Sequence, residues 1–274
     1  MTSKLKVGLI IVGDEILSGK RKDQHFFNSI KILSKRGLSI SWMTTIGDDK
    51  DLCKNLLHYS FSRNNNPVFC FGGIGSTPDD NTRQACADAL NLPLKLNTDA
   101  EKLITKKFRG MNIPISKARL EMGDFPEGAK LIPNPVNEIP GFYIKNHYFL
   151  PGFPNMASPM MEWGLDSKYQ SAFFSFVEIE YFFLVNLLFE STITPVLKLI
   201  NEKYPLIRVY SLPQSKMNTD SSQGYSLEIG LKMPGNQKKN NEFIELQFRN
   251  AIDVFRFEIL NLGGLIIEEG EKKR

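Results

Sequence analysis

Two acidic clusters stand where an α/β chain would meet a phosphate. Gly13-Asp14-Glu15 closes an apolar run, with Asp23 a little further on. The stretch VFCFGGIGSTPDDNT, Val68 to Thr82, passes through Gly72, Gly73 and Gly75 before Ser76, Thr77, Asp79, Asp80 and Thr82. Glycines there let the backbone approach a ligand closely, and the first amides of a following helix donate to anions. Carboxylates beside such donors suit a divalent cation with oxygen ligands, Mg²⁺ or Mn²⁺. Asp14, Glu15, Asp79 and Asp80 are therefore the expected metal ligands, and Gly73 to Thr77 the expected phosphate donors. A cation so held would polarise a phosphoryl oxygen and lower the pKa of an attacking water, with one carboxylate as base. Phosphoanhydride cleavage or nucleotidyl transfer is the matching chemistry. Each cluster also has a plainer reading, in which Asp14 and Glu15 cap a turn and the glycines form a loop before an aspartate-capped helix.

The elements that would bring the clusters together alternate strand and helix. Leu5 to Val12 reads as a strand buried on both faces. Asp23 reads as the cap of a helix to Arg36 with Phe26, Phe27, Ile30 and Leu33 on its inner face and Gly37 as its stop. A strand at Leu38 to Ile46, a helix opened by Gly47-Asp48-Asp49, a turn at Asn64 to Pro67 and the strand at Val68 follow. That order predicts right-handed β-α-β units and a doubly wound, mostly parallel sheet, with ligands bound beyond the carboxyl ends of the strands. A helix is expected near Thr98 to Phe108. From Asn112 to Gly141 there is little periodicity. Short strands at Phe142 to Lys145 and Tyr148 to Leu150 precede a helix through Met160, Met161 and Trp163. Met156, Met160, Met161 and Trp163 read as packing. Composition changes near residue 168, so residues 1–168 and 169–274 are the expected domains, the second ordered strand, helix, strand, strand, helix, strand. Glu271 to Arg274 reads as a solvated tail.

Composition sets bounds. The chain has 274 residues and a net charge of +4 from 34 basic and 30 acidic residues, too mild to require nucleic acid. Its three cysteines have no CxxC spacing and read as buried thiols of a cytoplasmic protein. The apolar run Val7 to Val12 is too short for a signal peptide or a membrane span. His25, His58 and His147 have no ligand spacing and read as surface or turn residues. Arg83 could reach a phosphate or lie in solvent.

Four segments taken together, GDEILSG (13 to 19) with Asp23, GGIGSTPDDNT (72 to 82), NPVNEIPGF (134 to 142) and LPGFP (150 to 154), resemble the molybdopterin-binding-type domain shared by molybdenum-cofactor biosynthesis proteins and the CinA family, and their order favours CinA. The last two segments correspond to that family's substrate-side loops, which adds Asn134, Pro151 and Gly152 to Gly13, Gly72, Gly73, Gly75, Ser76, Thr77 and Thr82 as ligand-binding positions. By position Asp80 matches an aspartate needed for activity in the family, and Asp14 and Glu15 match its first acidic pair. Phe71, Ser76 and Asn137 depart from the usual threonine, proline and glycine. The second unit resembles the small KH-like domain of CinA proteins, without a Gly-x-x-Gly clamp for RNA. What the resemblance implies is metal-dependent (Mg, Mn or Co) hydrolysis of a pyrophosphate of the ADP-ribose or FAD class by a homodimer. Adenylyl transfer to molybdopterin is the alternative, and a non-catalytic binding module is the third reading. A nucleotide or pterin phosphate is the expected ligand, with neither nucleic acid nor membrane as partner.

Overall fold

The computed structural model describes residues 5–63, 66–175, 177–214, 226–235 and 242–273. Asn64, Asn65 and Arg274, assigned above to a turn and to the tail, lie outside the described residues. The chain divides into two compact units, Met1–Phe173 and Phe174–Arg274.

In the first unit β1 (Val7–Val12) is buried along its whole length, as a central strand of a covered sheet must be. After it come α1 (Asp14–Leu17), α2 (His25–Ser34), β2 (Ile40–Ile46), α3 (Lys50–Arg63), β3 (Val68–Phe71) and α4 (Thr82–Leu90). The unit continues through β4 (Leu94–Leu96), α5 (Thr98–Gly110), α6 (Lys117–Glu121), β5 (Asp124–Pro126), β6 (Lys130–Ile132), β7 (Gly141–Ile144), β8 (His147–Leu150) and α7 (Pro154–Lys168). The main sheet has the order β2-β1-β3-β8-β7-β6. Its first four strands are parallel, and β7 and β6 close it antiparallel. This is the doubly wound, mostly parallel α/β architecture that the alternation of elements predicts.

Both faces of the sheet are covered, and the strands supply them by strict alternation. Ile10, Val12, Val68, Cys70 and Phe149 meet Cys53 and Leu57 of α3, Ala85 and Cys86 of α4 and Ile104 of α5. Leu9, Ile11, Phe69, Phe71 and Tyr148 meet Leu33 of α2 and Met160, Met161 and Leu165 of α7. The three cysteines are free, buried and in the first of these layers. Burial pushes the Cys53 thiol up to about 12 and raises those of Cys70 and Cys86 well above the ordinary value.

Several expectations are corrected. On α2, Phe27 and Ile30 are exposed, and the buried face is His25, Ser29, Ile32 and Leu33. The helix packs by one narrow stripe against α7 and the sheet, so only that stripe is covered. The aperiodic passage from Asn112 to Gly141 holds α6, β5 and β6, elements too short to show a period. The first unit extends to Phe173: Tyr169 and Phe173 pack on its core and Arg36 lies over the Phe173 ring.

The second unit runs β9 (Val177–Asn186), α8 (Glu190–Lys203), β10 (Arg208–Gln214), β11 (Ser226–Gly235), α9 (Glu242–Asn261) and β12 (Leu265–Lys273). Its sheet is antiparallel throughout, in the order β10-β11-β9-β12, which is a split β-α-β arrangement. Phe183, Val185, Ile229 and Leu231 pack there with Ile193 and Ile200 of α8 and Phe248 and Phe255 of α9. The expected tail is a strand instead: β12 pairs with β9 as far as Lys273, and Lys272 Nζ lies 3.1 Å from Glu228 Oε1. The charged run Glu268 to Lys273, broken only by Gly270, hid the strand by offering no apolar alternation.

Candidate functional site

Parallel strands that share a direction end at the same edge, and here β2, β1, β3 and β8 run into Gly47, Gly13, Gly72 and Pro151. The ends are stitched together, with Gly13 N donating to Ile46 O at 3.0 Å and Gly72 N to Leu150 O at 3.0 Å. Gly72 has φ +99° and Gly73 φ +69°, and a Cβ on Gly72 would collide with the Val12 carbonyl. Only glycine fits such a left-handed turn packed against a neighbouring strand. The loops beyond these ends surround a cavity of about 660 Å³.

The glycine loop is set by what lies beneath it. Thr82 N donates to Gly73 O at 3.0 Å, and the Arg83 guanidinium, buried, donates to the carbonyls of Ile74 and Gly75. In a trans peptide the N–H points opposite to the C=O of the same unit. Three carbonyls turned toward α4 therefore turn the amides of Ile74, Gly75 and Ser76 the other way, onto the cavity they line. Among the described residues none of the three has a hydrogen-bond partner. Successive free amides of this kind form an anion-binding nest. Thr77, expected among the donors, is not one of them: its N–H and its hydroxyl both donate to Asp80 Oδ2, at 2.8 and 2.6 Å. Arg83 is neither solvated nor aimed at a ligand; it braces the loop.

The carboxylates divide into those engaged within the loops and those at the rim. Asp14 N donates to Asp48 Oδ2 at 2.9 Å and Asp48 N to Asp14 Oδ1 at 3.3 Å, a reciprocal clamp between the ends of β1 and β2. Asp14 is thereby turned toward Gly47 and away from the cavity. Glu15, Asp48, Asp79 and Asp80 line it. Burial, with the negative charges of Asp14, Glu15 and Asp79 beside it, raises the Asp48 carboxyl above its usual range against the Asp14 amide. Among the described residues no group of three or more His, Cys, Asp or Glu side chains is arranged to hold a metal ion. The electrostatics suit a cation, but the protein does not supply a full set of ligands for one.

Further residues shape the rest of the cavity. Pro151 and Gly152 enter from the end of β8, and Asn134 from the loop after β6. The Asn134 carbonyl oxygen Oδ1 accepts from Val136 N at 3.1 Å, so this buried side chain folds its own loop. Thr82 lies buried under Gly73 and outside the lining. His25, expected at the surface, is buried against the Phe71 ring at 4.6 Å, with Nε2 3.3 Å from Gly152 O. Burial lowers its pKa against that carbonyl and Asp23, leaving a neutral ring in the cavity wall. His147 is buried as well, with Nε2 2.8 Å from Ser60 Oγ. Met156 lines the cavity rather than only packing, its sulfur 3.4 Å from Asn137 Nδ2. With Met122, Ile139 and Phe153 it adds apolar surface to the cavity wall, so the site combines amides and charges with hydrophobic side chains.

Sequence reasoning passed over Asp48 as a site residue, although Gly47-Asp48 after β2 repeats the strand-Gly-Asp pattern of Gly13-Asp14 after β1. Nothing comparable marked His25, whose only signal is a polar residue at the first turn of a helix.

The family model described as "Probable molybdopterin binding domain" matches residues 8–167. The solved structure of CinA from Thermoplasma acidophilum is similar at 25% identity and TM-score 0.53, over 59% of this chain and 97% of that one. A protein of Caldivirga maquilingensis is 33% identical over 154 residues, 55% of this chain and 60% of its own length. Another, of Sulfurisphaera tokodaii, is 26% identical over 264 residues, 95% of this chain and 97% of its own. The likeness to CinA carried by the four sequence segments is thus joined by a likeness of fold in the first unit. With more than half of its length inside the family match, the chain belongs to the molybdopterin-binding domain family.

Proposed function

We propose that the cavity binds the diphosphate or phosphate of a nucleotide or pterin ligand and that the protein hydrolyses a dinucleotide-type pyrophosphate of the ADP-ribose or FAD class. The observation that supports this reading is the row of unpartnered amides at Ile74, Gly75 and Ser76, held over a cavity whose wall also carries apolar side chains. A diphosphate needs such donors, and a flat heterocycle needs apolar surface to lie against. In this reading the divalent cation arrives with the diphosphate, since Mg²⁺ is commonly held by one or two carboxylates together with substrate phosphates and water. Glu15, Asp48 and Asp79 are the carboxylates in place to meet it, and it would neutralise the developing phosphoryl charge. Asp48, with its raised pKa, is the proton acceptor of the group, because a base titrating nearer neutrality works better as one. Asp14 and Asp80 keep the two loops in shape.

The test is a thermal-shift and product-release screen of ADP-ribose, FAD, NAD and a pterin, with and without Mg²⁺, Mn²⁺ or Co²⁺. A diphosphate ligand is expected to raise the melting temperature, as any ligand of the folded state must. Metal-dependent release of a nucleoside monophosphate should accompany it, and Asp48→Asn should reduce that rate about 100-fold. Ligand binding without release leaves a binding module, and ATP consumption with a bound pterin moves the assignment to adenylyl transfer. No shift with any ligand refutes the reading.

A further inference from the structure

Between α1 and α2 the chain reads Gly19-Lys20-Arg21-Lys22-Asp23, three bases in a row beside a site crowded with acids. Arg21 and Lys22 are exposed and line the cavity, as do Glu15, Asp48, Asp79 and Asp80. The loop is fixed in place by Ser18 N to Asp14 O at 2.8 Å, Gly19 N to Ile16 O at 3.1 Å and Arg21 N to Glu15 O at 2.8 Å. Its one acid does not compensate the bases, because the Asp23 carboxylate accepts from His25 N at 2.8 Å and Phe26 N at 3.3 Å and so faces the start of α2. Arg21 has Glu15 at 3.8 Å, an exposed pair of the kind that contributes little. Lys22 has no ion pair among the described residues.

We propose that this lip is a second anion subsite, which takes a phosphomonoester carried by the ligand at a distance from its diphosphate. The proposal rests on the reading of the cavity as a phosphate-ligand site and names the class of ligand it prefers: a nucleotide diphosphate with an additional phosphate on its ribose. The charge distribution divides the labour. At the amide nest the neighbouring carboxylates repel a phosphate unless a cation accompanies it, whereas at the lip Lys22, without an ion pair among the described residues, and Arg21, in a weak exposed pair with Glu15, attract a dianion with no metal present. Phosphate bound at the lip is therefore metal-independent and salt-sensitive.

Two measurements decide it. In EDTA, inorganic phosphate titrated by calorimetry is expected to bind the wild-type protein and to bind the Arg21→Ala/Lys22→Ala double variant about ten-fold more weakly, with Arg21→Lys/Lys22→Arg restoring most of the loss. With Mg²⁺, ADP-ribose and its 2′-phosphorylated form are compared. The wild type should prefer the phosphorylated form about ten-fold, and the alanine variant should lose that preference. Equal phosphate affinity of wild type and double variant in EDTA, or no binding by the wild type, overturns the subsite. If neither nucleotide binds but metal-free phosphate still depends on Arg21 and Lys22, the lip stands and the proposed substrate class falls.

Discussion

Arg83 shows how a single residue sets the chemistry of a loop it does not belong to. Its guanidinium, buried beneath the glycine turn, fixes two carbonyls and by that means the direction of the amides on their other side. Arg83→Met would remove two hydrogen bonds to a charged group, at about 1.5 kcal/mol each, and leave two buried carbonyls without donors. We expect a loss of stability on the order of 3 kcal/mol in urea unfolding and, in the folded fraction, weaker binding of inorganic pyrophosphate. Arg83→Lys should recover part of both, since the two bonds come from the single nitrogen Nη1 and an ammonium also carries more than one donor. An Arg83→Met protein that binds pyrophosphate as the wild type does would show that the loop shapes itself. The glycines and acids of this loop were legible in the sequence, because strand, glycine turn and helix start occur in one contiguous stretch. The work of Arg83, Asp48 and His25 was not, since it depends on which strands end side by side. Asp80 marks the same limit: its motif position was clear, but not that both its neighbours' donors at Thr77 would occupy one of its oxygens.

At the scale of elements, β8 begins with a buried histidine that ties it to α3. His147 has Ser60 Oγ at 2.8 Å and the Phe61 ring at 4.0 Å, and burial, with Lys145 nearby, lowers its pKa to about 3. In the unfolded chain the ring titrates near the ordinary value of about 6.5. Below that pH the unfolded chain gains a proton that the native chain refuses, so the folded state loses stability as pH falls from about 6.5 toward 3, by roughly 1.4 kcal/mol per unit at most. His147→Asn removes the titration, and the difference in unfolding free energy between variant and wild type should change with that slope between pH 6 and pH 4. A pH-independent difference would mean that the ring is protonated in the native state. The order of elements was readable for a related reason. Strands buried on both faces give unbroken apolar runs, and the helices between them carry one apolar stripe each. The inner face of α2 was misjudged because five apolar residues crowd a helix that buries only a narrow stripe, and Phe27 and Ile30 are left outside it. In β12, Glu269 pairs with Arg256 of α9 and Lys272 with Glu228 of β11, contacts that no apolar alternation announces.

Over the whole molecule, the two units have separate cores, one built on both faces of a mostly parallel sheet and one on an antiparallel sheet with α8 and α9. Among the described residues no helix is long and apolar enough to cross a membrane. Separate cores predict separable unfolding, with ligands of the strand-end cavity raising the transition of the first unit only. The three buried thiols give this a means of detection. Cys53, Cys70 and Cys86 all belong to the first unit, as do both tryptophans, Trp42 and Trp163, so the second unit contains neither kind of side chain. Along a denaturant gradient, maleimide labelling and indole fluorescence should follow one unit, while circular dichroism at 222 nm follows both. Coincident curves from all three would show a single cooperative transition. The cysteines, inert in the native protein, thus act as a clock for one half of the chain and are silent about the other.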